Sequence, residues 1–320
     1  MLSVIIPARD VGPFIAQAVR SALAQTVRDI EVLLIDDGSR DDTRARIADI
    51  ADPRLHLLDG QGRGSAHARN QGIAMAKGRY LAFLDADDVW LPDHLARLHA
   101  QLELHPELDL VFAASAWIDR AGRPLPRTVV RWQGPISYRA LFLEFYPVTT
   151  SALLARRSAV EQVGGFDEDL AMGEDHDLCL RLALLRPDNC AGTPTIGLQY
   201  RQRPGQKTGN RENKLRSWER LVAKHRRLAP ALVPELAVVA TANHKRALAA
   251  LAYENGAYAE ARAWITQAWR AAPLAMARDR RTWIVVAAAI ASLLPSPARR
   301  AAEQLGEQVL GALRRSAPNR

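Results

Sequence analysis

Three carboxylates in four residues, Asp85-Ala86-Asp87-Asp88, follow the apolar run Tyr80-Leu81-Ala82-Phe83-Leu84. An apolar run that ends in acid reads as a buried strand delivering oxygen ligands to its C-terminal edge, where open α/β sheets place their sites. Like charges packed this closely repel one another unless a cation neutralises them. The cluster therefore suits a hard divalent ion, because Mg²⁺ takes one or two carboxylates, several waters and the oxygens of a substrate phosphate. A helix cap ahead of Trp90-Leu91-Pro92-Asp93 is the structural alternative, and it needs only one aspartate.

Three other stretches carry usable chemistry. Asp36-Asp37-Gly38-Ser39-Arg40-Asp41 ends a second apolar run. A strand-to-helix turn accounts for Gly38 and for a capping Ser39 or Asp41, whereas adjacent carboxylates at a sheet edge suit a nucleoside, with Asp37 at the base and Asp36 supporting the loop. Gly60-Gln61-Gly62-Arg63-Gly64 precedes a helical segment holding His67, Arg69 and Asn70. It follows the third strand and lacks both the dinucleotide spacing and the P-loop lysine, so it reads either as a flexible turn or as a loop over a nucleotide, with Arg69 pairing a carboxylate or diphosphate. Met172-Gly173-Glu174-Asp175-His176-Asp177 opens an amphipathic helix. Its acids favour the helix dipole, and one of them within reach of a hydroxyl would serve as a general base.

The elements that must position these groups alternate along the first half of the chain. Strand patterns at residues 2–6, 30–35, 55–58 and 80–84 are each followed by a helical pattern, at 14–24, 42–50, 66–76 and 94–104. This βαβ alternation predicts an α/β fold with a mainly parallel sheet flanked by helices. A further strand is expected at 108–113, irregular structure between Trp117 and Pro147, strands at 149–154 and 195–200, and helices at 156–163 and 174–185. Residues 206–320 turn alanine-rich, basic and helical, and about 242–275 match one tetratricopeptide-like helical hairpin. We therefore expect a catalytic domain over 1–205 and an all-α region over 206–320.

Charge follows that division. Of the 43 Lys and Arg and 35 Asp and Glu in the chain, residues 211–320 hold 19 and 8. A basic helical region implies an anionic partner. Arg278, Arg280 and Arg281 precede the apolar stretch 283–294, and Arg299, Arg300, Arg314 and Arg315 follow it. Trp283 at one end with arginines on both sides is the composition of an interfacial helix, and a helix buried against the domain is the alternative. Nucleic acid is not expected, because few aromatics interleave with the charges. The 12-residue stretch 283–294 is too short to span a bilayer. Only two cysteines, Cys179 and Cys190, are present, which excludes a disulfide framework or a zinc spacing and suits a reducing cytosol. With no basic-then-apolar leader before Leu2-Ser3-Val4, we expect a cytoplasmic protein, peripheral at the inner membrane face if the tail binds lipid.

Taken in order, these motifs resemble the family 2 glycosyltransferases with a GT-A nucleotide-sugar fold. The resemblance rests on Ser3-Val4-Ile5-Ile6-Pro7, Ser21-Ala22-Leu23-Ala24-Gln25-Thr26, Asp36-Asp37-Gly38-Ser39, Ala68-Arg69-Asn70, Phe83-Leu84-Asp85-Ala86-Asp87-Asp88, Gly164-Gly165-Phe166-Asp167 and Glu174-Asp175. It implies inverting transfer of a sugar from a nucleotide-activated donor, UDP-linked by first choice, to a saccharide or lipid-linked acceptor in surface polysaccharide or glycolipid assembly. Carried onto this chain, Pro7, Arg9, Asp37, Arg69, Asp87 and Glu174 would line the donor site, and Asp87 with Asp88 would meet Mn²⁺ or Mg²⁺, Asp88 being favoured as the direct ligand. Asp175 would be the catalytic base. The family often places an aromatic residue and Asn after the first strand, where this chain has Ala8-Arg9-Asp10, so Arg9 would stack on the base instead. Gln199-Tyr200-Arg201-Gln202-Arg203 lacks the tryptophan of the processive synthases, which implies one sugar per acceptor, with 200–203 near the diphosphate. Two rival readings remain: a sugar nucleotidyltransferase, which usually carries a glycine-rich loop and lysine after its first strand, and a non-catalytic helical scaffold with a decayed transferase domain.

Overall fold

The computed structural model describes residues 1–125, 132–203, 206 and 211–298. It divides into two compact units, Met1–Leu221 and Val222–Arg320. The boundary expected at 205 falls outside the described residues.

The first unit is built on one sheet, nine-stranded among the described residues. Its strands are β1 (Leu2–Ala8), β2 (Ile30–Asp36), β3 (Leu55–Asp59), β4 (Tyr80–Phe83), β5 (Val89–Trp90), β6 (Leu110–Ile118), β7 (Gly134–Pro135), β8 (Leu153–Arg156) and β9 (Cys190–Arg201). The order is β3-β2-β1-β4-β8-β6-β9-β5, with β7 also on β9. The β3-β2-β1-β4 half is parallel. β8 then runs antiparallel to both β4 and β6, while β6 and β9 are parallel to each other. The sheet is thus mixed rather than mainly parallel in its pairing, yet β1, β2, β4 and β9 all point the same way. Their C-terminal ends meet along one edge. The near-continuous apolar runs of β1, β2 and β4 follow from burial on both faces.

Helices α1 (Gly12–Leu23), α2 (Ser65–Met75), α3 (His94–Leu104), α4 (Tyr138–Leu143), α5 (Arg157–Gln162) and α6 (Glu174–Ala183) flank this sheet. The helix expected over 42–50 is reduced to a 3₁₀ turn at Ala45–Ile47. Local side-chain bonds explain the loss. Asp41 accepts from the backbone N–H of Thr43 and of Gly12, and Thr43 Oγ1 accepts from the N–H of Val11. Asp and Thr here bind backbone that a helix would otherwise claim. The expected strand at 149–154 divides into a 3₁₀ turn, Thr150–Ala152, followed by β8.

Helix α7 (Arg211–Leu228) leads into the second unit, which holds α8 (Val233–Glu254), α9 (Tyr258–Ala271), α10 (Pro273–Arg278) and α11 (Arg280–Ala291). α8 and α9 pair across a turn at Gly256, whose φ of 73° favours glycine. Small residues let these helices approach: Ala242, Ala268, Ala272 and Met276 form one core cluster, and Ala249, Ile265 and Ala289 another. Arg246 and Asp279 make an ion pair of 2.8 Å inside the unit. Trp283 and Leu293 remain 52% and 68% exposed. Arg299, Arg300, Arg314 and Arg315 lie outside the described residues. Among the described residues no helix is long and apolar enough to cross a membrane.

Candidate active site

The parallel strand ends deliver the predicted residues to one edge, and hydrogen bonds then sort them into different tasks. At the end of β2, Asp37 is buried beneath the glycine loop. Its Oδ1 accepts from the backbone N–H of Gly62 (2.8 Å) and Arg63 (3.2 Å), and its Oδ2 from Gly64 (2.7 Å). A carboxylate offers about four acceptor sites. Three are taken by the loop, and the Arg9 guanidinium lies 3.9 Å from Oδ2. Asp37, expected at the donor base, is therefore first the organiser of residues 60–64. Gly60 allows this contact, since a Cβ there would stand 2.7 Å from the Cα of Asp37. Neighbouring Asp36 holds Arg44 and accepts from Ser39 N–H; those bonds outweigh its burial and lower its pKa. Arg9 is exposed, donates to Gly62 O at 3.4 Å, and follows Pro7, which sits in β1 beside Ile35.

Gly64, at φ 102°, turns the loop into α2 and so presents Ser65 and Arg69 on one helical face. Arg69 is buried and bridges two acids: it donates to Asp85 Oδ1 (2.6 Å) and to Glu174 Oε1 (2.9 Å). Burial pulls its pKa down, but Asp85 and Glu174 outweigh that and raise it, so the guanidinium stays charged. Ser65 adds a bond to Glu174 at 3.2 Å. Asn70 clamps the Gly164-Gly165 turn through Phe166, accepting from its N–H (2.8 Å) and donating to its C=O (2.9 Å). That turn lies between α5 and α6. Arg69, expected beside the nucleotide, thus joins the acidic end of β4 to the start of α6.

The three acids after β4 do not share one environment. Asp85 is held by Arg69 and by Thr149 Oγ1 (3.2 Å), and its own N–H donates to Ser151 Oγ. Asp88 is fully buried: its Oδ2 accepts from Ser151 Oγ (2.6 Å) and its Oδ1 from Arg201 N–H (2.9 Å). Burial, reinforced by Asp87 and Asp85, pushes the Asp88 pKa well up. Both oxygens of Asp88, the acid favoured above as the direct metal ligand, are thus engaged within the fold. Asp87 is more open than Asp88, 12% exposed against 27% for the Arg69-bound Asp85, with Oδ2 bonded to Arg203 Nε at 2.7 Å.

Among the described residues no group of three or more His, Cys, Asp and Glu side chains is arranged to hold a metal unaided. An Mg²⁺ or Mn²⁺ ion that takes one protein carboxylate, with diphosphate and water oxygens completing its shell, fits the Asp87 position.

Asp175 opens α6 beside Glu174, after Gly173 at φ 79°. Its Oδ1 accepts from the N–H of His176 at 2.8 Å. Burial first, and the adjacent Glu174 charge second, push its pKa up to about 7. A carboxyl poised near neutrality is suited to take a proton from an attacking hydroxyl. Asp177, by contrast, is buried and pairs with Arg181 at 2.7 Å, a structural role.

Sequence reasoning missed Thr149 and Ser151, and placed Arg201 only within the stretch 200–203 expected near the diphosphate. The hydroxyls stand in a short turn with no motif spacing. Arg201, fully buried, donates to the carbonyls of Asp87 (2.7 Å), Asp119 (3.2 Å) and Arg120 (3.1 Å) and to Gln17 Oε1 (2.8 Å). The arginine that closes β9 was its one available signal.

The model of the family described as Glycosyl transferase family 2 matches residues 3–164. The succinoglycan biosynthesis protein ExoO of Rhizobium meliloti is 33% identical over 218 residues, 63% of this chain and 60% of ExoO, so the chain spans less than two thirds of that relative. The Escherichia coli UDP-Glc:alpha-D-GlcNAc-diphosphoundecaprenol beta-1,3-glucosyltransferase WfgD is 38% identical over 96 residues, 30% of this chain and 38% of WfgD. Among solved structures, residues 1–349 of S. aureus TarS in complex with UDP-GlcNAc superpose with a TM-score of 0.64 at 16% identity, covering 96% of this chain and 91% of that one. That likeness concerns the fold. The family model spans half of the chain and contains the glycine loop, Arg69 and the β4 acids, and on that match the chain belongs to glycosyl transferase family 2, a glycosyltransferase with a GT-A catalytic fold.

Proposed function

We propose that this chain moves a single sugar from a UDP-sugar to an acceptor hydroxyl with inversion at the anomeric carbon, in the assembly of a surface polysaccharide or glycolipid. The observation that carries the reading is the Asp85–Arg69–Glu174 bridge, which ties the acidic end of β4 to Glu174, the residue before Asp175, a carboxyl poised near neutral pH. Asp175 takes the acceptor proton as the oxygen attacks the anomeric carbon; the bond from that carbon to the diphosphate breaks in the same displacement. Asp87 is the residue that would hold Mn²⁺ or Mg²⁺, and when bound the ion supplies positive charge to the departing diphosphate. Asp37 and the loop it organises shape the nucleoside side, with Arg9 available to stack on the base. Support for the donor comes from TarS, solved with UDP and with UDP-GlcNAc, and support for a lipid-linked acceptor from WfgD, whose name specifies UDP-Glc and a diphosphoundecaprenol-linked sugar.

The reading extends to a cytoplasmic protein whose second unit rests on an anionic membrane face. Its apolar groove, lined by Ile265, Trp269, Trp283, Ile290 and Leu293 and rimmed by Arg262, has the composition of an interfacial surface. A thermal-shift screen of nucleotide sugars with Mn²⁺ tests the donor assignment, since a ligand that binds only the folded state raises Tm by mass action. UDP-sugars should raise it and other nucleotide sugars should not; a screen in which no UDP compound shifts Tm refutes the assignment.

A further inference from the structure

Asp87 reaches the sheet edge already paired with a cation. Its Oδ2 accepts from Arg203 Nε at 2.7 Å and, more weakly, from Gln206 Nε2 at 3.4 Å. Arg203 stands over the ring of Phe14, 5.4 Å from its centroid, and Arg201 stands 5.2 Å from the same ring. The two arginines are anchored very differently. Arg201 is fully buried and donates to three carbonyls and Gln17, so it cannot leave without orphaning them. Arg203 is 24% exposed, and Asp87 is its one carboxylate partner among the described residues. A divalent ion on Asp87 would face the Arg203 guanidinium at short range, and like charges so placed repel. A guanidinium has an alternative partner of matched geometry in the same site, because its planar fork pairs with phosphate as readily as with carboxylate.

We propose that Arg203 is a latch on Asp87: it occupies the carboxylate while the donor is absent and passes to the donor diphosphate when nucleotide and cation arrive together. The proposal rests on the glycosyltransferase reading of this site and adds to it an order of events. Metal alone binds weakly because Arg203 competes for Asp87. UDP draws Arg203 away and so strengthens metal binding, and by linkage the metal strengthens UDP binding by the same factor. Arg203 is in this sense a positioning residue that sets the availability of another.

Isothermal titration of Mn²⁺ into the full chain without nucleotide reads the latch directly. Loss of a charge-assisted partner from Asp87 should make Arg203→Met bind Mn²⁺ about tenfold more tightly than the wild type. UDP should bind that variant more weakly, and the mutual enhancement of Mn²⁺ and UDP should shrink. Arg203→Lys keeps the charge and should leave Mn²⁺ binding close to wild type, which separates competition by charge from simple opening of the site. A metal-only affinity of Arg203→Met within about twofold of wild type overturns the latch, as does tight Mn²⁺ binding that survives when Asp87→Asn is added. Because the first titration contains no nucleotide, it is independent of the donor reading. Failure of wild-type protein to bind UDP at any Mn²⁺ concentration overturns that reading instead.

Discussion

Asp175 is set apart from its neighbours by its surroundings rather than its chemistry. Glu174 is committed to Arg69 and Ser65, and Asp177 to Arg181. Asp175 holds only its own helix start, and burial beside Glu174 leaves it with a pKa of about 7. The base form is the deprotonated one. Activity should therefore fall as pH drops below about 7, close to tenfold per unit, and flatten above it. The measurement is kcat/KM against pH, and a profile flat from pH 5 to pH 8, on the order of no change, would exclude Asp175 as the titrating base. Asp175→Asn should retain UDP-sugar binding by calorimetry and lose roughly 10²–10⁴-fold in transfer. Loss of donor affinity instead would assign Asp175 to binding.

At the scale of elements, Asp88 is a strut. It joins the turn after β4 to the 3₁₀ turn at Ser151 and to the last residue of β9. Asp88→Ala removes the buried acceptor of the Ser151 hydroxyl and of the Arg201 N–H, a change expected to cost about 2–4 kcal/mol. Urea denaturation should show that loss, together with weakened transfer as the Asp87 turn loosens. Asp88→Asn keeps an acceptor for Arg201 and gives Ser151 a donor, so its loss should be smaller. Equal stability of Asp88→Ala and wild type would dismiss the strut and restore Asp88 as a candidate ligand. The neighbouring elements show what pattern reading captures. Strand runs and the helix at His94–Leu104 were legible because periodicity reports burial. The failed helix over 42–50 and the antiparallel pairing of β8 were not, because side-chain capture of backbone by Asp41 and Thr43 and the choice of strand partner leave no periodic trace.

At the scale of the molecule, basicity and exposed apolar surface coincide in the second unit. Residues 222–320 carry 15 Lys and Arg against 6 Asp and Glu, and Trp283, Ile284, Ile290 and Leu293 are exposed. Surface of this kind binds anionic headgroups through charge and inserts its apolar side chains. The full chain should co-sediment with phosphatidylglycerol-containing vesicles at low salt and release as ionic strength shortens the Debye length to about 3 Å near 1 M. Trp283→Ala should weaken the association. A chain that stays in the supernatant with anionic vesicles at low salt is not a membrane-surface protein.

The ordered acidic motifs, the strand and helix alternation and the basic C-terminal composition were determined by sequence alone, because carboxylate type, hydrophobic period and net charge are properties of residues in line. The family followed from that order. Which aspartate does what was decided only in three dimensions. Asp37 turns to the glycine loop because Gly60 lets the backbone close over it, Asp88 sinks beneath Ser151 and Arg201, and Asp87 keeps a partly exposed carboxylate with Arg203 upon it. Those fates depend on partners up to 116 residues away along the chain. A carboxylate's role is set by what solvates it, and only the folded sheet edge brings that partner to it.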